Sequence, residues 1–311
     1  MPRGRRRLPL LSIGSLDSRR SGRSLSAVAL GLASTLLVWA GSPAPNGHLP
    51  EAFSVASRTV RPPEKGQPTL RFWIARHGQT TYNAADRFQG SLDKESPLTE
   101  KGQRQARELG RWLVAQPDAE FGAVYVSSLT RARQTLAIAA EEGESVAGAI
   151  GVPWPEGKPL RQMREIDLYE WQGLTKDEVK EQYPDSYVLW KEEPWELELS
   201  GHRVLADLFY RASCTWELLL KEATPGKPTL IVAHGGFNKA LVCSALGFPM
   251  EAWRNMTINN GEVLEVEWLP DDSQKWQTPI RWRLRWRRRH PERTGWTDDI
   301  TEAAPEHSAV A

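Results

Sequence analysis

Three short apolar runs constrain this chain most, because each stops at a reactive residue. Leu70–Ala75 (LRFWIA) runs into Arg76-His77-Gly78. Ala123–Val126 (AVYV) runs into Ser127-Ser128-Leu129, with Arg131 close behind, and Thr229–Ala233 (TLIVA) runs into His234-Gly235-Gly236. Runs of this length and composition read as strands. Helical patterns lie between them. Thr99 can cap a helix through Ala106, Leu109 and Leu113 at three- to four-residue spacing, and further helices follow Arg131 and Asn238. Strands alternating with helices predict an α/β fold with a largely parallel central sheet flanked by helices. Ligands of such sheets bind beyond the carboxyl ends of the strands, where these three clusters fall.

The residue types at those ends suit one kind of chemistry. A neutral imidazole beside guanidinium groups can attack phosphorus and form a phosphohistidine. Arginine donates two parallel hydrogen bonds to phosphoryl oxygens and keeps its charge. Glycine directly after each histidine is expected to let the backbone approach a phosphate closely, and helix N-termini add N–H donors. The sequence has no HExxH, Asp-rich loop or Cys/His cluster, so neither a metal nor a cofactor is expected. A lone histidine is more often structural than catalytic, and His48, His202, His290 and His307 are read so.

These segments resemble the histidine phosphatase superfamily, which includes the phosphoglycerate mutases. The resemblance begins with Arg76-His77-Gly78-Gln79-Thr80 and Asn83, and continues through Gln89-Gly90, Pro97-Leu98-Thr99 and Gly102. It then takes in Ser127-Ser128-Leu129-Thr130-Arg131-Ala132, Leu160-Arg161, Arg164-Glu165-Ile166, Trp171-Gln172-Gly173 and Ala233-His234-Gly235-Gly236. It implies that His77 is the nucleophile and that Arg76, Arg131 and His234 hold the phosphoryl oxygens. Asn83, Gln89, Gly90 and Gly235 would help to bind substrate. Glu165 would protonate the leaving oxygen and then activate water. For that first step its carboxyl should sit in apolar bulk that raises its pKa. One departure is visible: many phosphatases of the family have glycine where this chain has Tyr169. A closer resemblance, to the plant 2-carboxy-D-arabinitol-1-phosphatases and their cyanobacterial relatives, rests on three segments. They are Arg164–Tyr169, Tyr183-Pro184 with Tyr187 and Trp190-Lys191-Glu192, and Gly236–Leu241.

The charge is uneven. Residues 1–68 carry ten Lys/Arg against three acids (Asp17, Glu51, Glu64), a balance of +7. Residues 69–311 carry 30 against 36, a balance of −6. A mildly acidic body argues against a nucleic-acid partner and leaves a small phosphate ester as the expected one. The Arg- and Ser-rich start, followed by the uncharged run Ala27–Gly41, reads as a targeting leader. That run is shorter than a comfortable membrane span. An organelle, the plastid above all, is the expected destination; an uncleaved anchor, the one membrane contact considered, and export are the alternatives. Residues 42–68 read as a linker, so the enzyme domain is expected over 69–290. A helical lid insertion is expected over about 163–226, and the acidic tail 291–311 reads as disordered. Cys214 and Cys243 read as buried small hydrophobes. Ile280–Arg287 alternates apolar residues with arginine and reads as a charged edge strand rather than a surface for an anionic partner. Oligomeric state leaves no mark in the sequence.

Two activities compete. Only 33 residues separate Arg131 from Glu165, and the Glu165 segment lacks the mutases' Arg-x-Tyr-Gly continuation. A mutase needs extra chain closing over its phosphohistidine to keep water out. Metal-independent hydrolysis of a phosphate monoester, such as the sugar phosphate 2-carboxyarabinitol 1-phosphate, is therefore expected ahead of mutase-type transfer or a membrane-anchored phosphoprotein phosphatase.

Overall fold

Alternate residues of the first strand, β1 (Leu70–Arg76), serve two different cores, which places β1 in the middle of the molecule. Phe72 and Ile74 belong to one core, Trp73 and Ala75 to the other. The computed structural model describes residues 69–93, 96–147, 154–268 and 287–289. The leader and linker read over 1–68, most of the arginine-alternating stretch and the tail 291–311 lie outside the described residues.

After β1 come α1 (Thr81–Ala84), α2 (Glu100–Val114), β2 (Ala123–Ser127), α3 (Thr130–Ala147) and β3 (Lys158–Leu160). Then follow α4 (Lys176–Gln182), α5 (Pro184–Glu192), the hairpin of β4 (Glu198–Leu199) and β5 (His202–Arg203), and α6 (Val204–Glu222). The chain continues through β6 (Thr229–Ala233), α7 (Gly235–Leu246), α8 (Ala252–Asn255), β7 (Val263–Trp268) and β8 (Arg287–Arg289). The sheet order is β3-β2-β6-β1-β7-β8. β1, β6, β2 and β3 are mutually parallel, and β7 and β8 join antiparallel, so the sheet is largely parallel as expected.

Register builds the site. Arg76 pairs with Ala233 and Val126 with Val232, so β1, β6 and β2 end side by side and deliver His77, His234 and Ser127 to one edge. Every residue of β2 and of β6 is buried, the mark of strands covered on both faces. Leu109, Trp112 and Leu113 of α2, with Ala132 and Ala139 of α3, cover one face. Leu205, Leu208, Ala212 and Trp216 of α6, with Phe237 and Leu241 of α7, cover the other.

Thr99 caps α2 as expected, accepting from Gly102 N–H. The stretch expected as a lid over 163–226 divides in two. α6 is a wall of the core: Trp216 stands edge-on to Phe72 with ring centroids 4.9 Å apart and donates its indole N–H to the Leu241 carbonyl. Emptying a site filled like Trp216's costs about 3–5 kcal/mol. α4, α5 and the small hairpin join the same core through fewer residues: Val179 and Leu199 are buried in it, and α5 has no fully buried residue. β8 closes the sheet edge among the described residues, with Arg287 opposite Glu265.

Candidate active site

The strand ends open into a cleft of about 410 Å³. Arg76, His77, Asn83, Gln89, Gly90, Arg131, Glu165 and Gly235 all line it. His234 does not. It lies wholly buried beneath the cleft, its ring centroid 5.1 Å from that of His77.

His77 Nδ1 lies 2.7 Å from the Gly78 carbonyl. A carbonyl only accepts, so the ring proton is assigned to Nδ1 and the lone pair to Nε2. Burial, then the charges of Arg131 and Arg76, push the His77 imidazole well below its ordinary 6.5, so it stands neutral and nucleophilic. His234 is depressed in the same way, again by burial first and Arg131 second. Its Nε2 lies 2.6 Å from Ser127 Oγ, which accepts from Leu129 N–H and so has its own proton to give. That assignment leaves the His234 proton on Nδ1, a buried atom with no partner.

Backbone carbonyls aim both arginines. Arg76 Nη1 donates to Ile258 O at 2.6 Å; Arg131 donates to Leu92 O at 2.6 Å and Gly90 O at 2.8 Å. The Nε atom of each is buried and unpartnered, so donors remain free for an anion. Burial lowers both guanidiniums, Arg131 to about 10, and Glu165 opposes the shift in each. Gly90 thus serves by holding Arg131 with its carbonyl. Asn83 commits its carboxamide oxygen to Thr80 N–H and to Asn260 Nδ2, which leaves its own Nδ2 end to the cleft. Gln89 accepts from Thr80 Oγ1 at 3.1 Å and keeps an unpartnered Nε2.

Glu165 departs from expectation. Apolar bulk was expected around its carboxyl, but the carboxylate accepts N–H bonds from Gly236, Phe237 and Ile166, each at 2.9 Å. It sits on the N-terminus of α7 because Gly236 has no side chain; a Cβ there would stand 2.5 Å from Glu165 Oε1. The glycines after the histidines also stand at close approaches within the protein. A Cβ on Gly78 would meet the Gly102 carbonyl oxygen at 2.3 Å, and one on Gly235 would meet the Arg76 guanidinium at 3.2 Å. Both make room for protein groups that shape the site.

Three residues escaped the sequence reading. Arg211 of α6 holds the acid-bearing segment by donating to the carbonyls of Gln162, Arg164 and Glu165 at 3.0, 2.5 and 3.0 Å. Asn260 donates to His77 O at 3.0 Å and steadies the nucleophile's backbone. Lys239 lines the cleft one turn into α7. Tyr169, noted for replacing a glycine, adopts φ +41° and stacks on His202 at 4.9 Å.

A two-sided α/β sheet whose central strands present a buried histidine pair between two guanidiniums defines an anion-handling α/β protein. The sequence profile described as histidine phosphatase superfamily (branch 1) matches residues 72–278, and the chain belongs to that superfamily. It is 34% identical over 206 residues to a protein of Arabidopsis thaliana named probable 2-carboxy-D-arabinitol-1-phosphatase, covering 66% of this chain and 39% of that one. It is 31% identical to a 2,3-bisphosphoglycerate-dependent phosphoglycerate mutase of Methylorubrum populi, covering 67% of this chain and 93% of that one. Among solved structures it is similar to a mycobacterial glucosyl-3-phosphoglycerate phosphatase: TM-score 0.56 and 27% identity, covering 70% of this chain and 97% of that one. The match to the Arabidopsis protein spans well under half of that relative's length.

Proposed function

We propose that the protein hydrolyses a phosphate monoester through a phosphohistidine on His77, without a metal. The observation that carries this is the neutral, buried His77, its Nδ1 tied to Gly78 O, standing between two guanidiniums that each keep an unpartnered Nε. Nε2 attacks phosphorus while Arg76, Arg131 and His234 Nδ1 donate to the phosphoryl oxygens. The ester P–O bond breaks and the leaving oxygen takes a proton from Glu165. Water then attacks the phosphohistidine, gives its proton to Glu165 and releases phosphate from Nε2. Ester and water have become alcohol and phosphate, and both groups are restored.

The substrate we favour is a sugar phosphate of the 2-carboxyarabinitol 1-phosphate kind, supported by the names of the plant relatives. Delivery to a plastid belongs to the same proposal and rests on the Arg- and Ser-rich start. The test is phosphate release by the full chain in excess EDTA. The panel is 2-carboxyarabinitol 1-phosphate, ribulose 1,5-bisphosphate, 3-phosphoglycerate and a phosphopeptide, each with a His77→Ala control. Release from a sugar phosphate, lost in the variant, is the expected result. Release that survives His77→Ala sinks the mechanism. The mutase relative supports a second reading, and isomerisation of 3-phosphoglycerate outpacing phosphate release, with 2,3-bisphosphoglycerate present, would put that reading first.

A further inference from the structure

Outside the phosphoryl seat the cleft wall carries three cations, and two are already matched. Lys176 pairs with Asp86, and Arg87 pairs with Glu178 while also donating to the Gly173 carbonyl at 2.6 Å. Lys239 is different. Its ammonium lies 3.5 Å from the centroid of the Trp253 ring, and among the described residues no carboxylate stands within ion-pair distance and no acceptor within hydrogen-bond distance. The ring face satisfies the charge in part, but an ammonium has three N–H donors and a ring accepts none of them well. Glu165 is the nearest acid to act on it, and both carboxylate oxygens there are taken by backbone N–H groups. Lys239 is half-buried, and its ammonium keeps donors free to meet an anion that enters the cleft.

Its position says where that charge would lie. Lys239 is four residues from Gly235 and three from Gly236, so all three share one face of α7. Gly235 backs onto the Arg76 guanidinium, at the phosphoryl end. The ammonium's helix position is therefore one turn, about 5.4 Å along the axis, beyond the phosphoryl seat. Beside it the wall is aromatic: Trp253 lies under the ammonium and Trp190 packs edge-on to Trp253 with ring centroids 5.7 Å apart. One point charge beside an aromatic wall suits a monoanion, whereas a second phosphate would want several donors in a fork.

We propose that Lys239 is a specificity-determining residue that receives a carboxylate carried by the substrate a short carbon chain from its phosphate. This rests on the phosphatase reading above and names the substrate class for the same site: phosphorylated hydroxy acids. Burial pulls the Lys239 ammonium down to about 8, with Arg76 adding to the effect and Glu165 and Cys243 opposing it. The carboxylate preference is therefore present below about pH 8 and fades as the pH rises through it.

A matched pair of esters tests this: 3-phosphoglycerate, and glycerol 3-phosphate, which has an alcohol in place of the carboxylate. The readout is the ratio of their kcat/KM values on the full chain. In Lys239→Met the ratio is expected to fall roughly tenfold to a hundredfold, the range for losing a hydrogen bond to a charged group. In Lys239→Arg the ratio is expected to survive, and to persist above about pH 8 where the wild type loses it. The same ratio taken as dissociation constants by calorimetry needs no turnover. If neither ester is hydrolysed, the binding ratio still decides the role of Lys239, and the phosphatase reading stands or falls separately on the wider substrate panel. A ratio unchanged in Lys239→Met overturns the proposal, including the case where both esters suffer equally. A fall confined to a bisphosphate, with 3-phosphoglycerate unaffected, overturns the carboxylate assignment.

Discussion

Acidification should destabilise this fold through its buried histidines, by an amount that can be worked out for His77. The imidazole is held well below its ordinary 6.5 by burial and by two guanidiniums. In the unfolded chain it returns to the ordinary value, so as the pH falls the unfolded state takes up the proton first and stability drops. Between about pH 7 and about pH 5, an imidazole that stayed neutral in the fold and protonated near 6.5 when unfolded would remove about 2 kcal/mol, the upper limit for one such group. Other groups titrate too, so the comparison is with His77→Gln, which cannot protonate. Urea unfolding followed by tryptophan fluorescence gives the stability of each protein at each pH. The wild type is expected to lose more stability than His77→Gln over that interval, by up to about 2 kcal/mol. Identical losses would refute the reasoning, because they would mean that His77 accepts a proton inside the fold as readily as outside it. His234, depressed by the same leading cause, is expected to behave likewise in His234→Gln.

Two further outcomes follow from local geometry. At Tyr169, φ is +41°, so Tyr169→Gly is expected to be more stable than Tyr169→Ala, the reverse of the usual order. Relief of about 1–2 kcal/mol of left-handed strain outweighs the roughly 0.4–1 kcal/mol by which glycine favours the unfolded chain. Both variants lose the His202 stack, so urea unfolding isolates the backbone effect, and greater stability of the alanine variant would refute it. At His77, the Gly78 carbonyl holds Nδ1–H, so a trapped phosphoenzyme is expected to carry its phosphoryl group on Nε2. Phosphorus NMR of the denatured intermediate distinguishes the two nitrogens, and phosphate on Nδ1 would overturn the assignment.

The sheet and the phosphoryl seat were legible because they are written locally. Each strand is one apolar run, and each chemical residue follows within a few positions, so adjacency in sequence survives as adjacency at the sheet edge. What was not legible is what depends on distant partners. Arg211 reads as one charge on an amphipathic helix until its three carbonyl partners, 46 to 49 residues away, come into view. The run through α6 announces a helix, but its period does not say that it lies on the sheet rather than over the cleft. The glycines after His77 and His234 were legible as close-approach positions; what approaches them is the protein itself.

These close approaches also help to hold the two guanidiniums together. The space left by Gly235 admits Arg76, and the space left by Gly236 admits the Glu165 carboxylate. Glu165 is in turn the opposing charge that acts on both Arg76 and Arg131. Both histidines stand neutral, and the two guanidiniums are opposed by Glu165 together with Glu262 at Arg76 and Asp93 at Arg131. On the proposed mechanism, a phosphoryl group would meet guanidiniums that backbone carbonyls have already aimed, so little reorganisation would remain for the moment of reaction. Glu165 is the exception. If it serves as the proton donor it must leave some of its N–H partners, and its hold on the N-terminus of α7 makes that step the one most dependent on how Arg211 positions its segment.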